Sequence, residues 1–186
     1  MGRGETARPL LWAAAGLFAG ALVAGSSLPG GVELTALPVK GGAPLWVVYL
    51  DPGERFTLRY IHSVDQAPIW EEHSVDAWGR IYVEEERFVM VGAGMGDLPG
   101  RGRWTGGRGI QAIRDMHYPV GEFVLRVGSP AVDHTLLWRD TAYRLSQHMP
   151  GEAVRVSGRP VSRLTRWWRK WFPHPATPVS EDRQGS

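Results

Sequence analysis

The chain has 186 residues, 43% of them hydrophobic, and a formal net charge of +2. This gives room for one core domain with appendages, a composition too apolar for a disordered chain, and no overall charge excess of the kind that drives polyelectrolyte binding. No cysteine is present, which excludes disulfides, thiol catalysis, Cys-ligated zinc and acylation at a lipobox cysteine.

Arg3 and Arg8 precede a run, Leu10 to Leu28, that holds no charged residue. At 1.5 Å per residue a helix of that length covers roughly 28 Å, the thickness of a bilayer core. The run reads as a retained single-pass anchor, or as a signal peptide cleaved near the small residues Val23-Ala24-Gly25. Either way, positive charge ahead of it keeps the N-terminus cytoplasmic and sends the body outside. The expected location is the inner membrane, with residues 1–29 as the anchor or signal segment and the lipid bilayer as a partner.

After Pro29-Gly30-Gly31 the pattern changes to short strand-like runs separated by turn chemistry. The expected strands are Val32–Val39, Leu45–Leu50, Arg55–Val64, Ile69–Trp78, Arg80–Val91, Glu122–Val127, His134–Trp138, Ala142–Ser146 and Ala153–Ser157. Many strands without intervening helical patterns predict a mainly β domain over residues 30–158, an antiparallel sandwich or open barrel. Residues Gly92–Gly109 read as a Gly- and Arg-rich loop too long for a simple turn. Within it, Gly92 and Gly94 superficially resemble a dinucleotide fingerprint, but Asp97 stands where the third glycine should fall and no amphipathic helix follows. A strand ending in a tight glycine turn is the expected structure, and no cofactor is implied. Arg101, Arg103 and Arg108 leave contact with an anion or a protein open.

The segment from Arg59 to Val75 mixes apolar and ionisable residues. Strand alternation places Phe56, Leu58, Tyr60, His62 and Val64 on one face, which predicts a core-facing His62. A turn at Asp65-Gln66-Ala67 then returns the chain toward Glu71 and Glu72, the expected carboxylate partners of the imidazole, Glu71 first. His62, Ser63, Glu71 and Glu72, with the two loop glycines, make the candidate structural or binding patch. Adjacent strand residues point to opposite faces, so Ser63 cannot use His62 as its base, and no G-x-S-x-G elbow occurs. No recognised metal-ligand spacing joins His62, Glu72, His73 and His117. Catalysis is not expected.

Near the end, residues 159–173 form the most regular pattern. Ser162 can cap a helix and Pro173 can end it. On a helical projection Val161, Leu164, Trp167, Trp168, Trp171 and Phe172 occupy an arc of about 140°. Arg163, Arg166, Arg169 and Lys170 fill the opposite arc. The expected element is an amphipathic helix that packs on the sheet, lies at a membrane interface or docks on a membrane partner. Nucleic acid is not an expected partner of a domain facing away from the cytoplasm. Residues 174–186 read as a disordered tail.

The succession Tyr60-Ile61-His62-Ser63-Val64, Pro68-Ile69-Trp70-Glu71, then Phe88 followed by Gly92-Ala93-Gly94, resembles the bacterial family called domain of unknown function 1850. The resemblance covers roughly residues 30–158. It implies a small protein with an N-terminal hydrophobic segment, associated with TRAP transporters of the TAXI type. The permease or the substrate-binding protein of such a transporter is the implied partner. The resulting expectation is a non-enzymatic, membrane-tethered extracytoplasmic accessory protein. An independent periplasmic module that binds a small anion is the alternative, and a hydrolase built on His62 and Glu71 a further one.

Overall fold

A computed structural model describes residues 28–89, 102–106 and 109–172, together with Gly20, Val23 and Ser26. Most of the uncharged N-terminal run, Gly92, Gly94 and the tail after Phe172 lie outside the described residues. Among the described residues no helix is long and apolar enough to cross a membrane.

The fold is mainly β, and every described strand pairing is antiparallel. In chain order the strands are β1 (Pro29–Pro38), β2 (Trp46–Leu50), β3 (Arg55–Ile61), β4 (Pro68–Val75), β5 (Ile81–Phe88), β6 (Arg103–Gly106), β7 (Gln111–Arg114), β8 (Tyr118–Pro119), β9 (Phe123–Arg126), β10 (Thr135–Trp138), β11 (Thr141–Arg144) and β12 (Ala153–Ser162). A helical turn α1 (Leu145–His148) follows β11, and helix α2 (Arg163–Trp171) follows β12. One sheet has the order β2-β1-β12-β9. The other runs β11-β10-β3-β4-β5-β7-β6, with β8 paired to β5.

The two sheets face each other as in a sandwich. Val32, Leu34, Ala36, Trp46, Val154 and Val156 of the smaller sheet meet Phe56, Leu58, Val75, Ile81 and Leu136 of the larger in one buried cluster, which Leu145 of α1 joins. Burying each large side chain in such a core contributes roughly 1.5–3 kcal/mol. Period-2 alternation produces this core, since Val32, Leu34 and Ala36 are consecutive inward positions of β1, as Phe56 and Leu58 are of β3.

Several expected boundaries move. The strand beginning at Arg55 stops at Ile61, and the one beginning near Ile69 stops at Val75, where Asp76 turns the chain. Asp76 Oδ1 accepts from the amides of Trp78 and Arg80, each at 2.9 Å, which satisfies that turn locally. The expected strand Ala142–Ser146 gives way to α1 at Leu145. The last strand continues past Ser157 to Ser162, because β1 offers a paired edge over that whole length. Within the expected Gly/Arg loop, Arg103–Gly106 pairs with β7. That hairpin and β8 have strands too short to carry a period of their own.

The sheets touch backbone to backbone where the β4–β5 turn meets β12. Gly79 adopts φ +84, and a Cβ at Gly158 would stand 2.5 Å from the Gly79 carbonyl oxygen. Nothing larger than hydrogen fits. Gly158→Ala is expected to destabilise the domain by about 1–3 kcal/mol through overpacking, read as a lower thermal midpoint. An unchanged midpoint would mean that the Asp76–Arg80 turn yields freely.

Candidate functional site

The expected His62 pair does not form. The β3–β4 register sets Ile61 opposite Pro68 and Leu58 opposite Glu71, so Glu71 lies several residues along the strand from His62. His62 falls after β3 ends, which releases it from the strand's alternation. Its Nδ1 lies 2.9 Å from Asp65 Oδ2 within the hairpin loop. Ser63 is exposed in the same loop. Glu72 points to the outer face of the large sheet and pairs with Arg55 at 2.5 Å. That face carries further ion pairs, Glu85 with Arg87 and with Arg114. Partly exposed pairs of this kind contribute about 0–1 kcal/mol each, and they give that face a charged surface.

Glu71 instead faces inward. Successive registers place Leu136, Leu58, Glu71, Glu86, Ile113 and Trp104 in one row across six strands of the large sheet. Two carboxylates thus stand directly opposite each other on an otherwise apolar face. The Tyr60 hydroxyl donates to Glu71 Oε1 at 2.9 Å. Glu86 has no hydrogen bond or ion pair among the described residues. Burial is the first cause that pushes both carboxyls above the ordinary glutamate value. The Glu86 charge adds to the rise at Glu71, and the Tyr60 bond works against it. The Tyr60 hydroxyl is pushed up by burial and then by the neighbouring Glu71 charge.

His73, two residues on from Glu71, shares this face and is only 2% exposed. Its ring is stacked between Phe56 at 5.0 Å and Phe123 of the smaller sheet at 5.4 Å. Nδ1 donates to the Glu71 carbonyl at 3.1 Å. A carbonyl can only accept, so Nε2 is the unprotonated nitrogen, and it lies 3.8 Å from Glu71 Oε2. On the other side His134 packs against Tyr60, with centroids 5.2 Å apart, and its Nδ1 accepts from the Gly128 amide. The alternation of β4 places Glu71 and His73 together on an inward face. The part of Glu86 was hidden by a bulge at Glu84, which shifts the β4–β5 register between Glu72 and His73. Glu84 turns to Ser74 and His117 instead.

The second group is on α2. Ser162 caps it, its hydroxyl accepting from the Thr165 amide at 3.1 Å. Two of the four cations of the helix, Arg166 and Arg169, face the domain. Arg166 bonds the Gly30 carbonyl at 2.9 Å and pairs with Asp51. The charge of Arg169 is felt at Tyr49 on β2, where it opposes a rise caused mainly by burial and by the bond to Glu33. Arg163 and Lys170 flank the helix and are exposed. The aromatic side faces out: Trp167, Trp168, Trp171 and Phe172 are 57%, 52%, 65% and 56% exposed. Of the readings open to this helix, packing of its aromatic side onto the sheet is therefore not the one adopted.

Two pH effects follow from the inner face. Burial lowers the His73 pKa from 6.5 to about 4, so its contribution to stability is full above about pH 6.5 and lost as pH falls through about 4. The amount is on the order of 3 kcal/mol, and His73→Gln should flatten that part of the acid limb in urea unfolding. The raised carboxyls act with opposite sign, their contribution being full at low pH and lost as pH rises through the raised values. Glu86→Gln should therefore raise stability at pH 8 and leave it unchanged at pH 4; a loss at pH 8 would show that Glu86 has a stabilising partner.

Comparison with the curated proteins and with the solved structures gives no match. Residues 56–145, just under half of the chain, match the family model described as Domain of unknown function (DUF1850), and this matched segment holds Tyr60, Glu71, His73, Glu86 and His134.

Proposed function

We propose that the protein is a membrane-tethered extracytoplasmic accessory domain, seated on the bilayer by the end of the sandwich where β1 begins and α2 lies. The observation that carries this reading is the inverted helix. An amphipathic helix normally buries its apolar side against its own domain, whereas α2 presents three tryptophans and Phe172 to the outside. A bilayer interface suits such an exposed aromatic side. Tryptophan favours the headgroup level, and the exposed Arg163 and Lys170 beside it complement anionic lipid.

Position supports the same reading. The Arg163 amide donates to the Leu28 carbonyl at 3.0 Å, so the uncharged run from Leu10 ends beside the first turn of α2. Trp78, 70% exposed, lines a groove with Leu28, Pro29 and Ser162 at the same end. An anchor ending at Leu28 and a helix starting at Arg163 would then meet the bilayer at the same end of the domain. As accessory to a TRAP-type organic-anion transporter of the TAXI class, the role implied by the family resemblance, the domain would be held next to the permease. The small-anion module is less well supported, because Arg103 of the Gly/Arg loop is already paired with Asp115 at 2.8 Å, and Arg101 and Arg108 lie outside the described residues.

Two measurements test this. Residues 28–186 should bind anionic vesicles in a salt-sensitive way and lose that binding when Trp167, Trp168 and Trp171 are replaced by serine, with the thermal midpoint retained. A lowered midpoint with vesicle binding unchanged would instead assign the tryptophans to the core. The tagged full chain purified in mild detergent should bring a permease or its binding protein with it; isolation without either would remove the transporter from the proposal.

A further inference from the structure

We propose that the inner face of the large sheet is a binding site for a small organic ammonium ion bearing an aromatic or branched apolar group, held by Glu71, Glu86 and His73. An –NH3+ group offers three donors and no acceptor. The site offers the complement. Glu71 and Glu86 are directly opposed across β4 and β5, and His73 lies on the same face two residues from Glu71. The Nε2 of His73, on a side chain 2% exposed, meets no donor among the described residues and lies 3.8 Å from Glu71 Oε2. Two acceptors at that separation can be bridged by one donor nitrogen lying to the side of the line joining them, at about 2.9 Å from each. Glu86, likewise, has neither hydrogen bond nor ion pair among the described residues.

The neighbouring surface selects the rest of the ligand. Along the row, Ile113 and Trp104 follow Glu86, and two strand spacings give about 10 Å from carboxylate to indole. Ile69 and Phe88 bound the row on one side. Trp104 is 42% exposed and tilted against Phe88 at 5.3 Å, so an aromatic surface remains open at the end of the row. Tyr60 donates to Glu71 and fixes that carboxylate, leaving its second oxygen for the ligand. A metal ion fits less well, since no group of three or more His, Asp or Glu side chains among the described residues is arranged to hold one. The site lies in the matched family segment, whereas α2 lies outside it, and it is independent of membrane seating.

The test is calorimetric titration of the full chain in nanodiscs, with lipid-only discs as the blank and three probes: 2-phenylethylamine, 2-phenylethanol and 3-phenylpropionate. The amine should bind saturably and at least ten-fold more tightly than the alcohol, and the carboxylate should not bind. Glu71→Gln and Glu86→Gln should each weaken the amine at least ten-fold, while the triple tryptophan replacement on α2 leaves its affinity unchanged. Equal affinity for amine and alcohol would reduce the site to an apolar groove and overturn the proposal. So would absence of amine binding, preference for the carboxylate, or an unchanged affinity in Glu86→Gln. The probe comparison uses the unaltered protein and stands even if a variant fails to fold.

Discussion

The ladder between the first and last strands is the constraint from which the rest of the architecture follows. β1 pairs with β12 from Pro38 opposite Val154 to Pro29 opposite Ser162. It closes the smaller sheet around strands from the two ends of the domain and brings the exit of the N-terminal run and the start of α2 to the same point. Gly30 makes the junction possible, because a Cβ there would stand 2.3 Å from the Ser162 carbonyl carbon. With the helix start fixed, Arg166 reaches the Gly30 carbonyl and Asp51, and the aromatic residues are left largely exposed. The Arg166–Asp51 pair is partly exposed and by itself worth about 0–1 kcal/mol. Its effect is to choose a rotation for a helix whose position the ladder has already set.

Unequal sheets account for the other distinctive feature. The smaller sheet has four strands and the larger eight. Phe123 of β9 covers His73, and beyond that point the inner row continues through Glu71 and Glu86 to Ile113 and Trp104. Carboxylates on an inward face are costly unless paired. Here one has a single tyrosine donor and the other has no partner among the described residues. Tolerance of that cost, on a face with an open aromatic edge, distinguishes this row from the ion-paired outer surface of the same sheet.

Most strand positions were legible because alternation in β1, β3 and β4 is long enough to show its phase, and the amphipathic helix was legible from its Ser162 cap onward, although residues 159–162, read into the same pattern, extend β12. Phase also gives the limits. The alternation that placed Phe56, Leu58 and Tyr60 correctly was carried one step too far to His62, beyond the last paired residue, where a turn controls direction. The partner of Glu71 was missed because pairing depends on register across the hairpin, and a six-residue connection from His62 to Ala67 leaves the register open. Glu86 was hidden behind a bulge that no local pattern announces. The helix's two arcs were readable, but which one faces the domain was not: Asp51 and Gly30, far away in sequence, decide it.

Because the chain has no cysteine, a single introduced thiol can be labelled without background. Nitroxide labels at Trp171→Cys on α2 and at Lys40→Cys, just past the far end of β1 and about 30 Å along it, can be compared in the full chain reconstituted in anionic bilayers. If α2 seats the domain on the membrane, the label at 171 is relaxed more by oxygen than by a water-soluble nickel complex, and the label at 40 shows the reverse. Equal, water-like accessibility at both positions would contradict the account.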